Sequence, residues 1–325
     1  MAVVEVENLA ITYRVPVRES GLRAAFGSLF HRRFQLVQAV RGISFDLAPG
    51  EVVGFIGPNG AGKTSTLKML SGLLHPTGGS ARVMGCIPWR REPGFLRQIA
   101  MIRGSRPLGV AGELTVLDAL RFQQLIYEVP EPEFKRNLAE LADLLHLEPL
   151  LQRQARALSL GEKMRAGLAW SLVYRPRILF LDEPTLGLDV SATAMMRRFI
   201  AGYSRQTGAA VLLTSHYMAD VESLCRRVIL IDKGAVAYDG ELARLAARLA
   251  PYKLLSVAVP ERVQPDWSRY GEVVSTEAER VSLRVLRDQV PSATARLLAE
   301  LPVADLTVTE APLESVIDQV YREGV

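Results

Sequence analysis

The chain has 325 residues, of which 49% are hydrophobic and 23% charged, with a formal net charge of +4 and two cysteines. Such values describe an ordinary globular protein with material for one large or two modest domains. They exclude a disulfide framework or a cysteine metal site, because Cys86 and Cys225 stand far apart with no CxxC. The longest apolar runs are broken by charge well short of the roughly 18 residues that span a bilayer. The start "MAVVEVENLA" lacks the basic-then-apolar order of a secretory signal, so a cytosolic location is expected. Lys and Arg are spread rather than blocked, and no nucleic-acid partner is expected.

In chain order, "VVEVENLAITYRV" has strand composition, and "GISFDLAPGEVVGFIG" adds two strand-like runs around a turn at Pro49 and Gly50. Between them, at about residues 15–38, lies a basic insertion. Leu22, Phe26, Leu29 and Phe30 fall there on one helical face among Arg18, Arg23, Arg32 and Arg33. Two readings stay open for it: an amphipathic helix at a membrane or membrane partner, or a surface insertion packed on its own domain. From Glu113 to Leu172 the pattern is helical. It closes with "ALSLGEKMRAGLAW", where Ser159 and Glu162 form a capping-box start and Met164, Leu168 and Leu172 follow at four-residue spacing. Short apolar strands then alternate with helices, which predicts a mostly parallel sheet covered on both faces. Residues 250–325 read as a small α+β module, with Pro312 opening a last helix whose Leu313, Val316, Ile317 and Val320 share a face.

Chemistry concentrates in three places. "GPNGAGKTS", Gly57 to Ser65, satisfies G-x-x-x-x-G-K-[ST] between an apolar run and a helix-forming one, the context of a phosphate-cradling loop. There Lys63 reaches terminal phosphates and the Thr64 hydroxyl ligates Mg2+. "ILFLDEP" ends a buried strand in two carboxylates, Asp182 suited to the Mg2+ shell and Glu183 to polarising water. "VLLTSH" places His216 just past another strand end.

These motifs, in this order, resemble the nucleotide-binding subunits of ATP-binding-cassette (ABC) transporters over residues 3–245. The resemblance implies a P-loop NTPase core with a mixed sheet and a helical subdomain at about 105–172. The small α+β domain at 250–325 resembles accessory domains appended to such subunits. It also implies roles: Tyr13 stacking on adenine; Gly57, Pro58, Asn59, Gly60, Ala61, Gly62, Lys63, Thr64 and Ser65 cradling the phosphates as Walker A; and Leu158–Glu162 as the signature. Asp182 and Glu183 correspond to Walker B and the catalytic glutamate, Asp189 to the D-loop aspartate and His216 to the switch histidine. ATP and Mg2+ are the implied cofactors.

In that family two cassettes pack head to tail, so that Ser159 and the Gly161 amide would meet a phosphate held by the other cassette. A homodimer is expected, with a heterodimer open. "LSLGEKMR", "LFLDEPTLGLDV" and "LLTSHYMADVE" resemble cassettes of ABC-2 type exporters. The implied partners are separate membrane permeases, and the implied place is the cytoplasmic face of the membrane. Two other readings stay open: a soluble ABC ATPase of the translation or DNA-repair type, and a catalytically impaired cassette of a heterodimer. Against the first, the stretch from Lys63 to Asp182 has room for an ordinary helical subdomain but not for a long coiled-coil insertion.

The pattern departs from the family twice. The glutamine expected after the strand in "RQIAMIRGSRP" is missing; Ser105 takes its place as the candidate metal contact, with Arg103 and Arg106 as neighbours and Gln98 too early. Leu160 and Glu162 stand where the common signature has Gly and Gln. A negative charge facing phosphate is unfavourable unless Glu162 turns back to cap its own helix.

Overall fold

Short apolar runs without polar alternation need cover on both faces, and the fold supplies it with one central sheet. The computed structural model describes residues 2–16, 34–104, 108–260, 265–277 and 280–323. The chain divides into two compact units, Met1–Asp239 and Gly240–Val325.

The first unit opens with strands β1 (Val4–Pro16), β2 (Phe34–Leu47) and β3 (Val52–Ile56), helix α1 (Lys63–Leu70) and β4 (Gly78–Val83). The short helix α2 (Pro93–Leu96) and β5 (Ile99–Arg103) lead to three helices, α3 (Val116–Ile126), α4 (Glu131–Leu145) and α5 (Leu160–Leu172). Then β6 (Ile178–Asp182), α6 (Val190–Thr207), β7 (Ala210–Thr214), α7 (Met218–Leu224), β8 (Arg227–Asp232) and β9 (Ala235–Glu241) alternate.

The central sheet has six strands in the order β5-β6-β7-β3-β8-β9. Its ladders β5–β6, β6–β7, β7–β3 and β3–β8 are all parallel. The two-residue turn Lys233–Gly234, both at positive φ, returns β9 alongside β8, a hairpin that makes the sheet mixed. A second sheet, β2-β1-β4, is antiparallel. Between the two sheets lies the core that seats α1, with Leu67, Met69 and Leu70 buried beside Phe45 and Phe55, whose rings are 5.6 Å apart.

The strand and turn readings at the start of the chain hold. β1 and β2 run further than the composition suggests, to Pro16 and from Phe34, so both ends of the expected insertion are paired strand. The amphipathic stretch from Leu22 to Phe30 lies outside the described residues. The helical region also holds: α3 and α5 both open with capping boxes, Thr115 with Asp118 and Ser159 with Glu162.

The second unit contains α8 (Leu242–Leu249), β10 (Tyr252–Ala258), β11 (Glu272–Glu277), β12 (Arg280–Leu286), α9 (Val290–Glu300), β13 (Asp305–Glu310) and α10 (Leu313–Glu323). Its antiparallel sheet has the order β11-β12-β10-β13. α9 covers one face through Ala293 and Leu297, against Leu255, Val257 and Leu283. The division falls at Gly240, earlier than the sequence pattern suggests, because α8 packs against α10. Leu313, Val316, Ile317 and Val320 of α10 are buried together as their spacing requires.

Leu283 is fully buried at the middle of β12. Leu283→Ala should destabilise the protein by about 2–5 kcal/mol, the usual cost of a buried leucine truncation. Chemical denaturation followed by circular dichroism reads this directly, and a loss well below that range would mean that α9 does not seal the sheet.

Candidate functional site

The loop from Gly57 to Gly62 leaves the buried end of β3 and enters α1. Its tightness needs glycine at two points: a Cβ on Gly57 would stand 2.2 Å from the Ile231 carbonyl oxygen, and Gly62 has φ 108 with the Ala39 carbonyl oxygen 2.4 Å from a Cβ. No side chain caps α1, which leaves the N–H groups of its first turn open to an anion. Pro58, Asn59 and Gly60 are exposed, whereas Ala61 and Gly62 are buried. Lys63 is only 6% exposed, and its Nζ donates to the carbonyl oxygens of Gly57 at 2.5 Å and Pro58 at 3.1 Å. Burial pushes its pKa below the usual lysine value, against the opposing pull of Glu183 and Asp182.

The end of β6 brings the two carboxylates beside that loop. Thr64 Oγ1 donates to the Asp182 carboxylate, at 3.2 Å from either oxygen, and Thr214 Oγ1 donates to Asp182 Oδ1 at 2.9 Å. Glu183 follows in the left-handed region, φ 52, a strained choice for a non-glycine residue. Its N–H donates to the Thr214 carbonyl oxygen and lies 3.1 Å from the Thr214 hydroxyl. The turn delivers the Glu183 carboxylate to His216, with Oε1 2.9 Å from Nε2. The exit of β5 passes close behind: the Gly104 N–H donates to the Asp182 carbonyl, and a Cβ on Gly104 would sit 2.0 Å from the Glu183 carbonyl oxygen.

Tyr13, on β1, reaches the same region, its hydroxyl 3.0 Å from Ser65 Oγ. Ser159 and Gly161 lie elsewhere. Among the described residues, no hydrogen bond or ion pair joins them to the phosphate loop; a Cβ on Gly161 would instead be 3.7 Å from Ala192 of α6, and one on Gly187 3.4 Å from Leu160. Asp189 caps α6, accepting from the Ala192 N–H at 2.8 Å. Ser105 and Arg106 lie outside the described residues. Arg103 pairs with Asp182 in the β5–β6 register, and Gln98 hydrogen-bonds Gly94, away from the carboxylates.

At the start of α5, Ser159 Oγ accepts from the Glu162 N–H at 3.3 Å, while Glu162 Oε2 accepts from the Ser159 N–H at 2.7 Å. Arg153 Nη1 donates to Glu162 Oε1 at 2.6 Å. The carboxylate is held below the usual glutamate range, first by the Ser159 backbone N–H and then by Arg153.

Reading the sequence for charge missed four residues that build the site's frame: Thr185, Arg197, Ser215 and Asp220. The Asp220 carboxylate is 1% exposed and accepts from the hydroxyls of Thr185 and Ser215 and from the Arg197 guanidinium. The one local signal was the hydroxyl pair in "VLLTSH", beside a histidine that drew the attention.

A phosphate loop before an uncapped helix, with a carboxylate pair at the neighbouring strand end and a histidine against the second carboxylate, defines a P-loop nucleotide triphosphatase. Comparison with known proteins narrows the class. The ABC transporter family profile matches residues 40–186, and that of the EvrA-like ABC transporter C-terminal domain matches residues 251–309. The chain is 33% identical over 218 residues to the ABC transporter ATP-binding protein NatA of Bacillus subtilis, covering 66% of this chain and 88% of NatA. It is 32% identical over 252 residues to the Nod factor export ATP-binding protein I of Burkholderia thailandensis, covering 78% and 80% of the two chains. A solved structure described as the ATP binding subunit of an ABC transporter superposes with a TM-score of 0.63 at 26% identity, covering 76% of this chain and 92% of that one. The chain belongs to the ABC transporter family as an ATP-binding subunit, and its first unit is an ABC ATPase domain.

Because the folded pKa of Glu162 is depressed, its charge stabilises the protein above the unfolded glutamate pKa and ceases to do so as pH falls through the folded value. Glu162→Gln, which keeps a capping side chain, should cost about 0.3–1 kcal/mol at neutral pH. In denaturation curves the gap to wild type should close with acidification; a gap that widened there would contradict the capping role.

Proposed function

We propose that this chain is the ATP-hydrolysing subunit of an ABC-2 type exporter, closing head to tail with a second cassette on ATP and working through separate membrane permeases. The observation that carries the hydrolytic reading is the Glu183–His216 contact of 2.9 Å beside a complete phosphate loop. In this reading Tyr13 stacks on adenine beside Ser65, while Gly57, Pro58, Asn59, Gly60, Ala61 and Gly62 wrap the phosphates. Lys63 exchanges its bonds to the Gly57 and Pro58 carbonyls for bonds to terminal phosphates. Glu183 accepts a hydrogen bond from the attacking water, and His216 keeps that carboxylate in place through Nε2.

Thr64 and Asp182 fit Mg2+, as two hard oxygen donors already in contact at the loop, and would hold it there. Bound there, Mg2+ would neutralise charge on the phosphates. Ser105 remains the proposed stand-in for the missing glutamine.

The surface supports the partners. Leu160, Leu186, Val190 and Tyr217 are exposed around the signature, D-loop and switch, and Val190 is 89% exposed at the tip of α6. Apolar groups in that position suit burial against a second cassette, which brings the Ser159 hydroxyl and Gly161 amide to the partner's nucleotide and sets Asp189 at the seam. A cavity of about 230 Å³ whose lining mixes Leu73, Met101, Tyr127 and Trp170 with Arg91 and Gln123 suits an amphipathic cytoplasmic segment of a permease, and α3, which carries Gln123, also exposes Phe122, Leu125 and Ile126. Among the described residues no helix is long and apolar enough to cross a membrane. The export direction and ABC-2 type rest on the resemblance of the signature, Walker B and switch stretches, and on a relative that carries export in its name. The proposed location is the cytoplasmic face of the membrane, held through the permeases.

Glu183→Gln should lower ATP turnover by at least about 100-fold, the low end of a lost general base. The same variant should keep ATP binding and accumulate as an ATP-dependent dimer on size exclusion. Wild-type protein that binds ATP yet hydrolyses none, alone and with its permease, would overturn the hydrolytic role, and a strictly monomeric Glu183→Gln variant with ATP would overturn the dimer.

A further inference from the structure

Two loops must place their side chains together for the Glu183–His216 contact to form, and neither loop is held by that contact alone. One leaves β6 and runs from Glu183 to the start of α6; the other leaves β7 and carries His216. Between them lies the Asp220 carboxylate of α7, almost wholly removed from solvent. Asp220 Oδ2 accepts from Thr185 Oγ1 at 2.5 Å and from Ser215 Oγ at 2.7 Å. Oδ1 accepts from Arg197 Nε at 2.7 Å, with Arg197 Nη2 2.6 Å away. Thr185 is two residues after Glu183, and Ser215 is the residue before His216. Thr185 and Ser215 are themselves buried.

We infer that Asp220 is a positioning residue for hydrolysis, clamping the Glu183 loop and the His216 loop at one carboxylate whose charge Arg197 of α6 neutralises. The inference rests on the proposed roles of Glu183 and His216. The physical case is one of geometry and cost. A buried carboxylate is tolerated only when its lone pairs are met and its charge is balanced. Here two of the groups that meet it belong to the two loops of the site, so the clamp is satisfied only when both loops are in place. Arg197 extends the clamp to α6, which Asp189 caps at its exposed tip. A shift of that tip on contact with a second cassette therefore moves the guanidinium that orients Asp220.

Asp220 touches neither the phosphate loop nor Tyr13, which separates its expected effect from a loss of nucleotide binding. Asp220→Asn keeps the side chain's shape but discards the charge and replaces one acceptor with a donor. In the full chain, kcat for ATP should fall about 10- to 100-fold, the effect of misplacing a reacting group by around 1 Å. KM and the dissociation constant for ATP should stay within about twofold, since the lost interaction acts on the reacting state. The His216 ring resonance, identified by its loss in His216→Ala, should shift in Asp220→Asn. Ser215→Ala removes only one hydroxyl and should give the same resonance shift with a smaller loss of kcat; it carries the test if Asp220→Asn fails to fold.

An unchanged His216 resonance in the folded variants, or a fall in ATP affinity that accounts for the lost turnover, would overturn the positioning role. Wild-type protein without ATPase activity would sink the hydrolytic reading instead, and the His216 resonance would still decide whether Asp220 places that ring.

Discussion

The Asp182 carboxylate, held by two threonine hydroxyls from different elements, is the contact on which the nucleotide site depends. Thr64 belongs to the first turn of α1 and Thr214 to the last residue of β7, so one side chain ties the phosphate loop to two neighbouring strand ends. Parallel strands put all their C-terminal ends at one edge, and that edge is where an open α/β sheet builds its sites. The strained backbone of Glu183 is tolerable because its N–H meets the same threonine. The turn would otherwise relax and carry its carboxylate away from His216.

Sequence and structure agree where chemistry is local. The phosphate loop, the paired carboxylates, the strand-end His216 and the capping box of α5 are each written in a few adjacent residues, and each lies where its flanking apolar runs direct it. The Asp220 clamp was not legible for the opposite reason. Its partners come from positions 185, 197 and 215, which only the packing of α7 against α6 and the two strand ends brings to one carboxylate. The boundary between the units was similarly obscured, because only the packing of α8 on α10 shows that this helix belongs with the chain that follows it.

The unusual signature also becomes intelligible in physical terms. Glu162 spends one oxygen on the Ser159 backbone and the other on Arg153, so its charge is engaged within its own subdomain. Leu160 lies against the turn at Gly187 and exposes part of its side chain, exchanging the freedom of a glycine for an apolar surface beside the D-loop. Both departures stiffen the helix start and fix its direction before any partner arrives.

The lysine of the phosphate loop has a consequence of its own. With its ammonium folded onto the carbonyls of Gly57 and Pro58, the loop's own backbone competes for the cation that would meet a phosphate. A small monovalent anion brings too little charge to draw that ammonium off two good acceptors, whereas a polyphosphate offers several oxygens and stronger charge-assisted bonds in exchange. That competition therefore favours ligands of high charge density over simple anions.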